Sequence, residues 1–101
     1  AHSILVYDYF GNFLYSIGQE HLISPRGLCV DELENIFVAD SQKNQILGFD
    51  QTGRLVLEIG SLSTKFAGFH EPSDVAISRD KLYVADTQNN RIQIFELAWE
   101  Q

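Results

Sequence analysis

"VADTQNNRIQIFE", residues 84–96, is nearly a second writing of "VADSQKNQILGFD", residues 38–50. Val84 follows Val38 by 46 residues, too far for a hairpin and out of step with a helical heptad. The flanking sequence repeats as well. "ILVYDYFGNFLYSIG" (4–18) aligns with "ILGFDQTGRLVLEIG" (46–60), setting Gly11 on Gly53 and Gly18 on Gly60. "SPRGLCVDELENIFVAD" (24–40) aligns with "EPSDVAISRDKLYVAD" (71–86), setting Pro25 on Pro72, with one residue fewer in the second turn. "IQIFE" (92–96) matches "ILVYD" and "ILGFD" and opens a third copy.

A spacing kept through both halves of a unit is an internal repeat. Its length is near the period of roughly 40–45 residues that one four-stranded propeller blade occupies. Each unit reads as four short strands. "GLCVD" and "DVAIS" follow a proline, which a strand tolerates at its first residue. "IFVA" and "LYVA" come next, then "QILGFD" and "RIQIFE" after an Asp-led turn, and "RLVLEI" or "NFLYSI" after a glycine turn. Several runs are apolar on both faces, which suits sheets lying between sheets. The expected fold is all-β, with two, four and three strands in chain order. The expected divisions are 1–18, the second half of a blade; 19–60, a complete blade; and 61–101, a blade without its last strand.

Composition narrows the function classes. The 101 residues hold a net charge of −7, with seven basic residues scattered singly, from Arg26 to Arg91. Nucleic acid binding needs clustered Lys and Arg to neutralise phosphate, so it is not expected. Cys29, the single cysteine, allows no internal disulfide and reads as a small buried apolar residue. No run reaches the ~18 apolar residues of a membrane span, and no signal peptide is visible. The chain opens on Ala1, which reads as a processed or trimmed start, or as a piece of something longer.

"P-x-x-V-A-I", "LYVADTQNNRIQIF" and "G-x-x-x-x-x-x-G" together resemble the NHL repeat across essentially the whole chain. Asp86, Thr87, Asn90, Arg91 and Ile92 sit as in that family, and Asp40, Ser41, Asn44 and Ile46 repeat them. Gln45 departs from the usual Arg. The resemblance implies a β-propeller, commonly of six blades, that binds proteins, RNA or peptides, with a few metal-dependent enzymes in the family. It implies an incomplete ring here, either a fragment or a subunit, whose missing parts are complementary blades from the same or another chain. The physics of the motif is structural: Asp40 and Asp86 end strands and accept N–H bonds from the turn that follows. Asn44 and Asn90 tolerate left-handed backbone, and Arg91 pairs with Asp86.

Candidates for chemistry are few. His21 and His70 precede innermost strands but at different distances from Pro25 and Pro72, so no symmetric ring of metal ligands is expected. The loop "SLSTKFAGFHE" is longer than "QEHLIS" and holds Lys65, Phe66, Phe69 and His70. Phe66 or Phe69 is expected to plug the seam between blades, matching Leu22. Trp99 is expected to cap the apolar edge of the last blade. No nucleophile motif, phosphate-binding glycine loop or zinc-enzyme spacing is present. No catalytic residue, cofactor or metal is therefore expected.

The expected function is a non-catalytic protein-binding scaffold, the C-terminal part of an NHL propeller, with Arg26, His70, Ser73 and Asp74 as partner contacts. The alternatives are a metal-dependent lyase-like propeller and an RNA-binding NHL module, the latter disfavoured by charge. Partners are expected to be proteins, with no nucleic acid and no membrane span. Acidic composition and a likeness to exported bacterial NHL proteins suggest the periplasm or exterior, with the cytoplasm as the alternative.

Overall fold

Nine strands form three antiparallel meanders in a computed structural model that describes residues 2–60 and 68–97. The first sheet pairs β1 (Ile4–Tyr7) with β2 (Phe13–Ile17). The second runs β3 (Pro25–Val30), β4 (Ile36–Asp40), β5 (Gln45–Phe49) and β6 (Leu55–Ile59), each beside the next. The third runs β7 (Asp74–Ser78), β8 (Lys81–Asp86) and β9 (Arg91–Glu96), with a short 3-10 turn at Thr87–Asn89. The fold is all-β, built as propeller blades in a ring that is not closed.

One turn design is written three times. Asp8 Oδ1 accepts N–H bonds from Phe10 and Asn12, and Asp50 Oδ1 accepts them from Thr52 and Arg54. Asp31 Oδ1 does the same for Leu33 and Asn35. The fourth residue turns left-handed in each, at φ 89° for Gly11, 90° for Gly53 and 66° for Glu34. Glycine fills two of these positions because a side chain is strained there. Asp31 is thus a turn-builder rather than one more solvated acid.

The middle sheet explains why its strands read as nearly unbroken apolar runs. On one pleat face, Val38, Leu47 and Phe49 pack with Ile17 and Leu22 toward the first sheet. On the other, Phe37, Ala39 and Ile46 pack with Ile59, Phe69, Val75, Leu82 and Val84 toward the third. Successive side chains point to opposite faces, so burial on both sides needs consecutive hydrophobes. The terminal sheets each keep one open face. Leu5, Tyr7 and Phe13 are exposed on that face of the first, and Ile92 and Ile94 on that of the third.

The sheets converge at their first strands. A Cβ built on Gly27 of β3 would lie 2.4 Å from Asp74 Oδ1 and 3.0 Å from both the Asp74 Cα and the Ser73 carbonyl. No side chain fits between these backbones. We predict that Gly27→Val lowers unfolding free energy by roughly 1–3 kcal/mol, the usual cost of overpacking. Denaturant titration measures this, and an unchanged midpoint contradicts the close approach.

Candidate partner-binding site

Two buried carboxylates hold the loops that enter the second and third sheets. Asp40, at the end of β4, accepts N–H bonds from Ile23 at 2.7 Å and Ser24 at 3.0 Å. From the following turn it accepts the Lys43 N–H at 3.2 Å. Asp86, at the end of β8, accepts the His70 N–H at 2.7 Å. Its other oxygen takes Asn89 Nδ2 at 2.9 Å, Arg91 Nε at 2.9 Å and Gln93 Nε2 at 3.0 Å. Here the sequence reading needs correction. It gave both carboxylates to backbone N–H groups of the turn after the strand. Asp40 instead takes two of its bonds from Ile23 and Ser24, 17 and 16 residues back, and the backbone N–H that Asp86 accepts comes from His70, 16 residues back, in the loop before the preceding strand. Asp86 adds side-chain donors from the turn and strand that follow. The reason is supply: those loop N–H groups have no ladder partner, and an unpaired buried N–H is costly.

Arg91 completes the clasp in the third sheet, its Nη2 donating to the Gly68 carbonyl at 3.1 Å. Gln45 stands where that arginine would be in the second sheet, and its buried Oε1 has no hydrogen-bond partner. The cation comes from two residues earlier instead. Lys43 Nζ donates to the His21 carbonyl at 2.8 Å, the bond equivalent to that of Arg91 on Gly68. Asn44 and Asn90 both have φ 56°. Asn44 also makes a bond that its place in the turn does not announce: its Oδ1 accepts the Glu71 N–H at 2.8 Å, tying one sheet to the next loop.

These bonds shape a polar depression of about 400 Å³ between the second and third sheets, lined by Ser24, Arg26, Ser41, Gln42, Asn44, His70 and Glu71. Asp40 holds Ser24, Asp86 holds His70 and Asn44 holds Glu71, so three of its walls are pinned through their backbones. Ser41 Oγ bonds to Ser24 Oγ at 3.2 Å, and His70 Nε2 lies 4.0 Å from Glu71 Oε2. Arg26 is exposed and makes no ion pair among the described residues.

Of the residues expected at a partner contact, the structure brings Arg26 and His70 to this depression and leaves Ser73 and Asp74 out of it. Ser73 Oγ and Thr87 Oγ1 share a bond at 2.5 Å. Asp74 Oδ1 accepts its neighbour Val75 N–H at 2.9 Å and abuts Gly27. Phe69 is buried among the apolar residues joining the second and third sheets, its ring 5.7 Å from that of Phe95, and Leu22 is buried equivalently one sheet earlier. His21 lies away from the depression, with its ring 6.0 Å from Phe49. Lys65, Phe66 and Trp99 lie outside the described residues. Among the described residues no three His, Cys, Asp or Glu side chains form a metal-holding group, and no helix is long and apolar enough to cross a membrane.

Residues 69–95, from the Phe69 plug through the Asp86 clasp to β9, match the family model described as the NHL repeat. The chain carries an NHL repeat. It is 36% identical over 56 residues to the B-box type zinc finger protein ncl-1 of Caenorhabditis elegans, covering 55% of this chain and 7% of that one. It is 32% identical over 60 residues to the protein brain tumor of Drosophila melanogaster, covering 59% and 6%. The alignments thus span well under a tenth of either relative. Both are animal proteins, so they lend no support to a bacterial, exported character. A crystal structure of virginiamycin B lyase from Staphylococcus aureus superposes with a TM-score of 0.50 at 19% identity, over 73% of this chain and 27% of that one, a likeness of fold alone.

Two predictions follow from the NHL clasp and its surroundings. Burial raises the Asp86 pKa, but the bonds from His70, Asn89, Arg91 and Gln93 outweigh it and hold the carboxyl below its ordinary value. A depressed folded-state pKa gives stability that is present above the unfolded value near 4 and lost as pH falls through the lower folded value. Unfolding free energy should therefore drop on acidification below about pH 4, and Asp86→Asn should flatten that acid limb. An unaltered acid limb in Asp86→Asn contradicts the assignment. Separately, burial, with the nearby Asp74 and Asp31 charges, pushes the Cys29 thiol up to about 11. A thiol reagent at neutral pH should label native protein far more slowly than unfolded protein, since the thiolate is the reactive form.

Proposed function

We propose that this chain is a non-catalytic protein-binding scaffold that engages its partner through the Arg26–His70 depression. One observation supports this reading above the rest: among the described residues Arg26 has no counter-ion, and it stands in a polar seam whose walls are pinned by Asp40, Asp86 and Asn44. A guanidinium has five donors in a fixed fork, suited to carboxylates and backbone carbonyls of another polypeptide. A pinned seam loses little freedom on binding, which favours affinity.

In the same reading the three sheets are parts of three blades, divided at 1–18, 19–60 and 61–101. Complementary blades, from the same or another chain, cover the open faces of β1–β2 and β7–β9. The apolar side chains there, Tyr7 and Ile94 among them, would then be buried as Phe49 is within the middle sheet. The net charge of −7 weighs against an RNA partner.

Installing a photo-crosslinking side chain at position 26 and irradiating in the native cellular setting tests the proposal. A crosslinked species removed by protease but not by nuclease is the expected result, with none from the same side chain at Arg54. Adducts sensitive to nuclease would transfer the site to RNA, and equal crosslinking from both positions would remove its specificity.

A further inference from the structure

The turn between β1 and β2 exposes two adjacent aromatic rings, Tyr9 at 95% and Phe10 at 84%, more than any other large apolar side chain among the described residues. The rings meet edge to face, with centroids 5.3 Å apart and planes at 86°. The molecule contains its own control. Asp8-Tyr9-Phe10-Gly11-Asn12 and Asp50-Gln51-Thr52-Gly53-Arg54 have the same carboxylate bonds and the same left-handed glycine. The design thus needs the aspartate and the glycine and asks nothing aromatic of the two residues between.

The control also shows what a neighbouring sheet would do. The turn at 50–54 has the first sheet against it, with Thr52 and Gly53 beside Ser16–His21, yet Gln51 and Thr52 both remain exposed. Phe49, equivalent to Tyr7, is fully buried. A blade packed against β1–β2 would therefore cover Tyr7 and leave Tyr9 and Phe10 in water. Completing the ring does not account for them.

We propose that the Tyr9–Phe10 turn is a second docking surface, an aromatic knob for a protein partner whose apolar pocket is bordered by lysine or arginine. Each ring offers roughly 150–250 Å² for burial, and a few such anchors dominate a protein interface. The turn is held by its Asp8 bonds before binding, so little order has to be gained. Charge selects the occupant. Bonds from Asn12, outweighing slight desolvation, hold the Asp8 carboxyl below its ordinary value, so an anion sits at the root of the knob at neutral pH. The chain as a whole is at −7, which repels both a second copy and an anionic bilayer.

The test uses the whole chain and an amphipathic helical peptide of leucine and lysine, about 14 residues long, followed by titration. A matched leucine–glutamate peptide and vesicles of phosphatidylcholine with phosphatidylserine complete the set. Tyr9→Gln with Phe10→Thr installs the sister turn's own residues, so the fold is expected to be unchanged by circular dichroism. Gln51→Ala is the control at the equivalent position. The expected result is saturable binding of the lysine peptide, weakened at least tenfold by the double substitution and untouched by Gln51→Ala, with the glutamate peptide at least tenfold weaker. Equal affinity in the double variant, no binding by the unaltered protein, or sedimentation with vesicles through Tyr9 and Phe10 would each overturn the proposal. None of these outcomes bears on Arg26, whose crosslinking stands or falls separately.

Discussion

A loop that crosses from one blade to the next carries backbone N–H groups with no strand to bond them, and the chain satisfies them with a buried carboxylate. Asp40 does this for Ile23 and Ser24, and Asp86 for His70. Much else depends on that contact. It sets where Leu22 and Phe69 enter the seams, and it fixes the direction in which each following strand starts. It also pins the walls of the depression that holds Arg26. A fully buried charge is tolerated because each of its oxygens is engaged.

The repeat made most of the fold legible. Strand runs such as "IFVA" and "LYVA" lie inside β4 and β8, and the double-faced apolar pattern of β4 and β5 correctly implied sheets on either side. Local chemistry was readable too: Asn44 and Asn90 are left-handed, and Arg91 pairs with Asp86. These features need only information held within a few residues of one another.

Bonds between distant residues were not readable in the same way. Nothing in "VAD" says that its carboxylate turns back to a loop before the previous strand, and a local turn is the natural alternative for any Asp. The co-occurrence of a proline and a strand-ending aspartate in both copies was the available signal. Lys43 taking over the carbonyl contact that Arg91 makes was hidden for another reason. The substituting cation lies two positions away, so aligning Gln45 on Arg91 shows only a loss. The depression was half legible: residues after each proline were expected to share one site. The sheets place Arg26 there but turn Asp74 toward Gly27.

Amide hydrogen exchange on the native chain tests the carboxylate clasp most directly. The amides of Ile23, Ser24 and His70 all lie in loops, where exchange is ordinarily fast. The account predicts that they exchange as slowly as the ladder amides of Val38 and Val84. Exchange at the rate of the exposed loop residues Gln19 and Glu20 would contradict it.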